Sequence, residues 1–490
     1  MKSNRSGLFY LMLALMIGLG LYARMGNHSK TPPPPRQPWG PTMRDLIDDP
    51  EGAEAQLEAM QRSNQADQAP LDDAGINSAL EGLLSGQDYQ RNVTRLRAQG
   101  SRASPVLLKG LADARARHPV SSKELPGYEQ VPMASIMEML GSIKEQKAVP
   151  LLLPLAHDSE KKIQEAALAC LCKIGSVECV EPIKQALEGS DAEVRSRVLS
   201  DLTLSFGFSK PTTPSPLCTA LFDVLLKLSQ RKEKGADCFD LLFTIDAKKA
   251  TQLLVNAENL NSSNSQLNTL LVALNRAQVA VPSTMIVDMI PDLKRTAETN
   301  PVESGAYGQA LIALADAHYP GTEELANDAL KLKSHSVRSD AAEALCIAKG
   351  LPDPTTVAYT LIEKNGIASV PPVVRQFAAV RDYIDEVNNG GLDQYFFNSS
   401  GDTSATALEG LTAMGVDDAT QILRKACALF GPSGPSPNRQ VRQRQLRDLV
   451  NSSKDPFSKL TSEFYKCEEL ETATLIFVAK NAAAFKDGGK

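Results

Sequence analysis

Two stretches of this chain align with each other at an offset of 31 residues, and that repetition constrains the fold more than any other feature. AVPLLLPLAHDSEKKIQEAALACLCKIG is followed at once by CVEPIKQALEGSDAEVRSRVLSDL. Val149 maps to Val180, Leu152 to Ile183, Ile163 to Val194, Ala167 to Val198 and Leu171 to Leu202. The preceding segment joins in, with Leu140 mapping to Leu171 and Ile143 to Ile174. Within each unit the apolar positions recur at three and four, the spacing of one helix face. Each unit therefore reads as a helix, a short polar turn containing Asp, and a second helix. Two helices cannot bury their own apolar face, so such units must stack on neighbours.

The second helices share a phrase: VRSRV from Val194, VRSDAAEAL from Val337 and VRQFAAV from Val374, with Ile163, Ala166 and Ala167 holding the same place. Small alanines let neighbouring helices approach, and the Arg beside the buried Val can reach back to an acidic turn residue or a carbonyl. This phrase resembles the HEAT family of helical repeats in a short form. The spacings of 31 and 37 residues lie below the usual HEAT period of roughly 40–47, so the phrase carries the resemblance. The tetratricopeptide and ankyrin patterns are absent. Further first helices are predicted near Pro216, Ala247, Pro282, Thr322 and Pro354, and second helices near Gly235, Asn264, Ser304, Ser334 and Val370. Helical text over 43–100 reads as a cap. The resemblance implies an all-α superhelical solenoid, whose usual use is a long concave surface for a protein partner; the alternative is a plain spacer.

Composition agrees. The aromatic share is only 5%, which disfavours an all-β fold, and 42% hydrophobic residues exclude wholesale disorder. A net charge of −6 points neither to a nucleic-acid-coating basic protein nor to a phosphate-mimicking acidic one. Eight cysteines lie scattered, several in apolar helical text such as Cys170 in AALACL and Cys346 in AEALCIA. They read as small buried hydrophobes. Cys170 and Cys172 form CxC without a second pair or a His cluster, so no zinc site is expected. No cofactor is implied.

Residues 7–23, GLFYLMLALMIGLGLYA, are uncharged and mostly apolar, with Lys2 and Arg5 before them. This is the shape of a signal anchor or a cleaved secretory signal within residues 1–24. Arg24 follows the apolar run at once, which favours the anchor. A Pro-rich linker with a short helix is expected over 25–70, the repeats over 71–380, and a separate domain over 381–490. The address implied is membrane attachment with the bulk of the chain outside the cytoplasm, or secretion after cleavage.

The text changes after Val380. Ten of the 25 aromatic residues fall in the last 111 positions. Gly390 and Gly391 read as a turn with positive φ. Gln394, Tyr395 and Asn398 follow in the first turns of a helix, and two more helices are predicted over 404–414 and 417–429. RQVRQRQLR then carries Arg439, Arg442, Arg444 and Arg447, and the chain closes with an amphipathic helix. Asn389, Gly390, Gly391, Gln394, Tyr395 and Asn398, with Phe464, Tyr465, Asn481 and Phe485 in the closing segment, resemble a bacterial domain of unknown function typified by a small DNA-mimic protein. The resemblance spans roughly 380–485 and implies an all-helical bundle. It does not bring the mimic activity with it. Residues 381–490 hold 15 acidic and 13 basic residues, far from the dense negative charge that imitates phosphates.

The Asn–Gly–Gln–Tyr–Asn cluster is a candidate binding site, because its amides could grip a peptide backbone or a small polar ligand. As structure, the glycines would make a turn and the amides would cap helix ends. The four arginines read as one solvated helix face or as a site for a small anion or phosphate-bearing partner. Without interleaved stacking aromatics, nucleic acid is not expected there. Asp417 and Asp418 read as helix-start acids. No nucleophile–base pair, metal cluster or phosphate loop is visible. The sequence thus points to a membrane-tethered, non-enzymatic interaction scaffold. The alternative is an enzyme or regulator working through the C-terminal domain, with a DNA-associated protein as one target.

Overall fold

The computed structural model describes residues 50–117, 132–207, 215–230, 235–452 and 455–486. Among these residues the regular elements are all helical and no strand occurs, as an α solenoid requires. None of their helices is long and apolar enough to cross a membrane. The predicted anchor at 7–23 lies outside the described residues. Residues 61–319 and 320–490 form two compact units.

In the first unit the 31-residue repeat becomes the helix pairs Val149–Leu155 with Lys161–Ile174, and Val180–Glu188 with Ala192–Leu202. The equivalent positions Leu152 and Ile183, Ile163 and Val194, Ala167 and Val198, and Leu171 and Leu202 are all buried. The turn Asp predicted between helices works as a cap: Asp191 Oδ1 accepts from the backbone N–H groups of Glu193 and Val194. Gly175, at φ +71°, ends the Lys161–Ile174 helix. Small residues set the helix spacing, since a methyl group on Gly141 would lie 3.3 Å from Cys170 Cα and Sγ.

The phrase arginines share one job. Arg195 Nη1 donates to the Gly189 carbonyl at 2.5 Å, Arg338 Nη1 to Leu332 at 2.6 Å, and Arg375 Nη1 to Ala368 and Val370, both at 3.1 Å. Of the two partners considered for this Arg, the structure selects the carbonyl at the end of the preceding turn. A second device links successive units. Lys161, in the first turn of one second helix, pairs with Asp191 and Glu193 at the start of the next.

The remaining predicted starts fall within three residues of observed ones. The start near Ala247 is an internal kink at Asp246 (φ −153°, ψ 86°) in helix Gly235–Leu254. The helix expected from Pro282 is broken into Ser283–Val287 and Ile290–Thr299. Pro291 explains the break, because its ring excludes the carbonyl four residues earlier and it has no N–H to donate. The helical text expected over 43–100 includes a 19-residue helix, Pro50–Gln68, which falls within the span read as linker.

The second unit begins with helices Thr322–Ala329, His335–Ala348 and Pro354–Asn365. Residue 380, the expected domain boundary, lies inside the long helix Pro372–Phe397. Helices Ser404–Met414, Asp417–Ala428, Arg439–Ser452, Ser458–Phe464, Leu470–Lys480 and Ala482–Lys486 complete the unit. Its core is aromatic: Tyr383, Tyr395, Phe396, Phe457 and Phe464 are buried together with Leu392, Leu411, Leu423 and Leu446. The rings of Tyr383–Tyr395 and Tyr383–Phe464 meet edge to face at 5.1 and 5.2 Å. VRQFAAV at Val374, read from sequence as one more second helix, packs on Pro354–Asn365, the first helix predicted for it. His335–Ala348 packs on Thr322–Ala329 and on the closing helix Leu470–Lys480.

Candidate functional site

The glycine pair kinks the Pro372–Phe397 helix. Only half of the expected turn chemistry is observed. Gly391 has φ +82°, where an L side chain is strained, but Gly390 has φ −156°. Gly390 is required for a different reason: a Cβ there would lie 2.1 Å from Gln394 Oε1. On the far side of Gly391, a Cβ would reach 3.3 Å from Thr461 Cγ2, and Thr461 Oγ1 accepts from the Leu392 N–H.

The kink folds the second arm of the helix back so that its amides meet a carboxylate on the first. Glu386 Oε2 accepts from Gln394 Nε2 at 2.7 Å and from Asn398 Nδ2 at 2.9 Å, and Glu386 Oε1 accepts from Ser400 Oγ at 3.1 Å. The expectation that these amides cap helix ends is therefore corrected: their N–H groups bolt one arm of the kink to the other. Gln394 is buried, and its Oε1 faces Gly390 without a hydrogen-bond donor. Tyr395 is buried in the aromatic core, where burial holds its hydroxyl in the neutral form well above the usual range. Asn389 stays exposed at the kink, beside Gly390.

The arginine run does not form one solvated face. Arg442 is fully buried. Its Nε donates to the Phe396 carbonyl, Nη1 to Ser436 and Nη2 to both Asn398 O and Asp402 Oδ1, each at 2.7 Å. Four of its five N–H groups are thus spent, on the end of the kinked helix, on the loop that follows it and on Ser436 just before its own helix. A Cβ on Gly401 would come within 2.7 Å of Arg442 Nε, so this loop closes on the guanidinium with no side chain between. Arg439 is half-buried; its Nε donates to Phe397 O at 3.1 Å and its guanidinium lies 5.9 Å from the Phe397 ring. Burial pulls its pKa down, against the upward pull of Asp402 and Glu386. Arg444 points outward, and Arg447 is half-buried. The helix turn, about 100° per residue, separates these four side chains rather than gathering them.

Two of the predicted groups therefore meet at one place. Gln394 and Asn398 reach it from the kinked helix, and Arg439 and Arg442 from Arg439–Ser452. Glu386, Ser400, Asp402 and Gln443, which donates to Phe397 O at 3.0 Å, complete it and were not singled out from sequence. Glu386 precedes Gln394 by eight residues, a separation with no meaning until the glycine kink brings the two arms together. Chemically the cluster balances two carboxylates with two guanidiniums: the guanidiniums bond mainly to backbone carbonyls and to Asp402, and Glu386 accepts from the amides and the Ser400 hydroxyl. Its geometry is that of a clasp.

The other candidates carry no reactive group. All eight cysteines are free thiols, and six are buried. Burial pushes Cys170, Cys218 and Cys427 up to about 12 and Cys346 to about 11, far from a nucleophilic thiolate. Among the described residues no group of His, Cys, Asp and Glu could hold a metal ion. Asp417 and Asp418 occupy the first turn of their helix, where the dipole favours acids. An open groove of about 640 Å³ between Ser404, Leu408, Arg424, Cys427 and Pro432 contains none of the motif residues.

Comparison with known proteins bears on both regions. No curated protein and no solved structure matches the chain. Residues 129–203 match the family model of HEAT repeats, and residues 368–484 match that of DMP19-like proteins. The chain thus carries HEAT repeats followed by a DMP19-like domain at its C-terminus.

Proposed function

We propose that this protein is a non-enzymatic scaffold that is tethered to a membrane by residues 7–23 and offers its helical array to a protein partner. HEAT repeats serve in protein interactions, and the stacked helix pairs between Val149 and Leu202 carry this reading. The clasp supports it from the other side, because its charged groups and amide N–H groups are engaged internally. Exposed apolar side chains on the array, Val177 at 60% and Leu204 at 54%, are the kind of surface a partner covers. Photo-crosslinkers placed at these two positions in the full chain test the idea. The expected result is a discrete crosslinked species from membranes, absent when the label sits at the exposed Asn389. Equal, diffuse crosslinking from all three positions would sink it.

Orientation has two readings. The N-terminal placement of the apolar segment favours the bulk of the chain outside the cytoplasm. The eight unpaired thiols favour the opposite face, since a reducing compartment leaves cysteines free. A cytoplasmic bulk would admit a regulator of a DNA-associated protein acting through the DMP19-like domain. A reporter fused after Lys490, active on only one side of the membrane, separates the two.

A further inference from the structure

We infer that, within the C-terminal unit, the closing helix Leu470–Lys480 caps the helix pair Thr322–Ala329 and His335–Ala348 by taking the seat that the second helix of a further repeat would hold. The first observation is positional. Inside the array, Lys161 in the first turn of one second helix pairs with Glu193 in the first turn of the next. In the C-terminal unit, His335 and Arg338 in the first turn of helix His335–Ala348 pair with Glu469, the residue that opens the closing helix. The pair Arg338–Glu469 thus repeats the start-to-start register of Lys161–Glu193, although its partners lie 131 residues apart rather than 32.

The second observation is burial. A second helix inside an array has a neighbour on each side, so it is covered on opposite faces. The closing helix shows this pattern. Leu470, Thr474, Phe477 and Val478 lie on one side, Thr472 and Ala479 on the other, and all six are buried. One side meets His335–Ala348, where the Cys346 thiol donates to the Leu475 carbonyl at 3.4 Å. The other meets Ser404–Met414 and Pro372–Phe397, where Arg381 pairs with Glu471. Solenoids need such an end piece, because a bare terminal helix face recruits whatever apolar surface it meets. The DMP19-like domain supplies it here, so helix His335–Ala348 is closed to a partner or a second copy.

A charge-swap cycle in the full chain tests this by hydrogen exchange. Glu469→Arg and Arg338→Glu alone should each speed exchange across 335–348 by about five-fold and raise labelling of Cys346, while 161–202 is unchanged. The double variant should return both readouts to within about two-fold of the parent. Val478→Asp should go further and yield a self-associating species in light scattering. The inference is overturned if Glu469→Arg leaves 335–348 and Cys346 untouched while 470–486 loosens, or if the double variant restores nothing.

Discussion

The repeats between Val149 and Leu202 and the DMP19-like domain after Ala368 both have to fix one helix against the next, and they use different materials. In the repeats the contacts are short-range and built from small parts: Ala166, Ala167 and Gly141 permit close approach, and Arg195 ties its own helix to the turn six residues back. In the domain the contacts are long-range and built from large parts. Arg442 reaches carbonyls 44 and 46 residues away, and Glu386 gathers donors from beyond a kink. Repeating the small device yields an array that can lengthen. The large device is used once, and everything around it depends on it.

The sharpest way to test that contrast is to remove one arginine from each region. Arg442→Ala should cost about 3–5 kcal/mol, because it strands the buried Phe396 carbonyl, the carbonyls of Ser436 and Asn398 and the partner carboxylate Asp402. Urea unfolding followed by fluorescence or circular dichroism would show the loss. Arg442→Lys should recover little of it, since an ammonium cannot span four acceptors set around a planar fork. Gly390→Ala ranks next at about 1–3 kcal/mol, because its methyl must push Gln394 off Glu386 in a buried setting. Gly415→Ala is the control. That residue has φ +74° and open space around its Cβ position, so it should cost only the strain of about 1 kcal/mol.

Acid provides a third contrast. Burial pushes the Asp382 carboxyl up to about 6 from an ordinary 3.8; the Tyr359 hydroxyl that donates to it pulls the other way, and Asp385 and Glu386 add to the rise. A carboxyl with a raised pKa in the folded state stabilises that state while protonated, so its contribution is complete below about pH 4 and lost as pH climbs through about 6. The C-terminal unit should therefore lose about 1–2 kcal/mol of stability from this group between those values, after allowance for partial solvent exposure. Asp382→Asn keeps an acceptor for Tyr359 and should flatten this slope and stabilise the protein at pH 7. A slope that survives the substitution would assign it to Asp385 or Asp393, whose carboxyls burial also raises.

The same contrast governs what can be read from the letters alone. The repeats are legible because their contacts are periodic: a residue's partner is found by counting 31 positions or one helical turn, and the observed helices start where the spacing puts them. Gly391 and the aromatic core of the last region are legible for a similar reason, as local conformation and composition. The clasp is not. Nothing in EVNNGGLDQYFFN tells Glu386 that its partners are Gln394 and Asn398, because the relation exists only after the kink. Nor does RQVRQRQLR distinguish Arg442, which is buried, from Arg444, which is exposed, until a facing loop supplies the carbonyls. The closing helix was recognisable as a helix, but its neighbour was not. Chain order leads from His335–Ala348 to the pair Pro354–Asn365 and Pro372–Phe397, and only tertiary packing brings Leu470–Lys480 onto His335–Ala348.

The smallest expected effect is the most diagnostic for the array. Arg195→Ala removes the hydrogen bond from its guanidinium to the Gly189 carbonyl at a half-buried turn, which should cost about 1 kcal/mol, since water can replace the donor in part. Arg338→Ala and Arg375→Ala remove the same bond at Leu332 and at Ala368 and Val370. If the arginines act as a repeated local device, Arg195→Ala and Arg375→Ala should cost similar amounts. Arg338→Ala should exceed them, because it also gives up Glu469. Because the sites are far apart in sequence and share no partner, the losses at Arg195 and Arg375 should add within about 0.5 kcal/mol in the double variant. A strongly non-additive pair would mean that the repeats transmit strain along the chain, and the distinction between a local array and a long-range clasp would then fail.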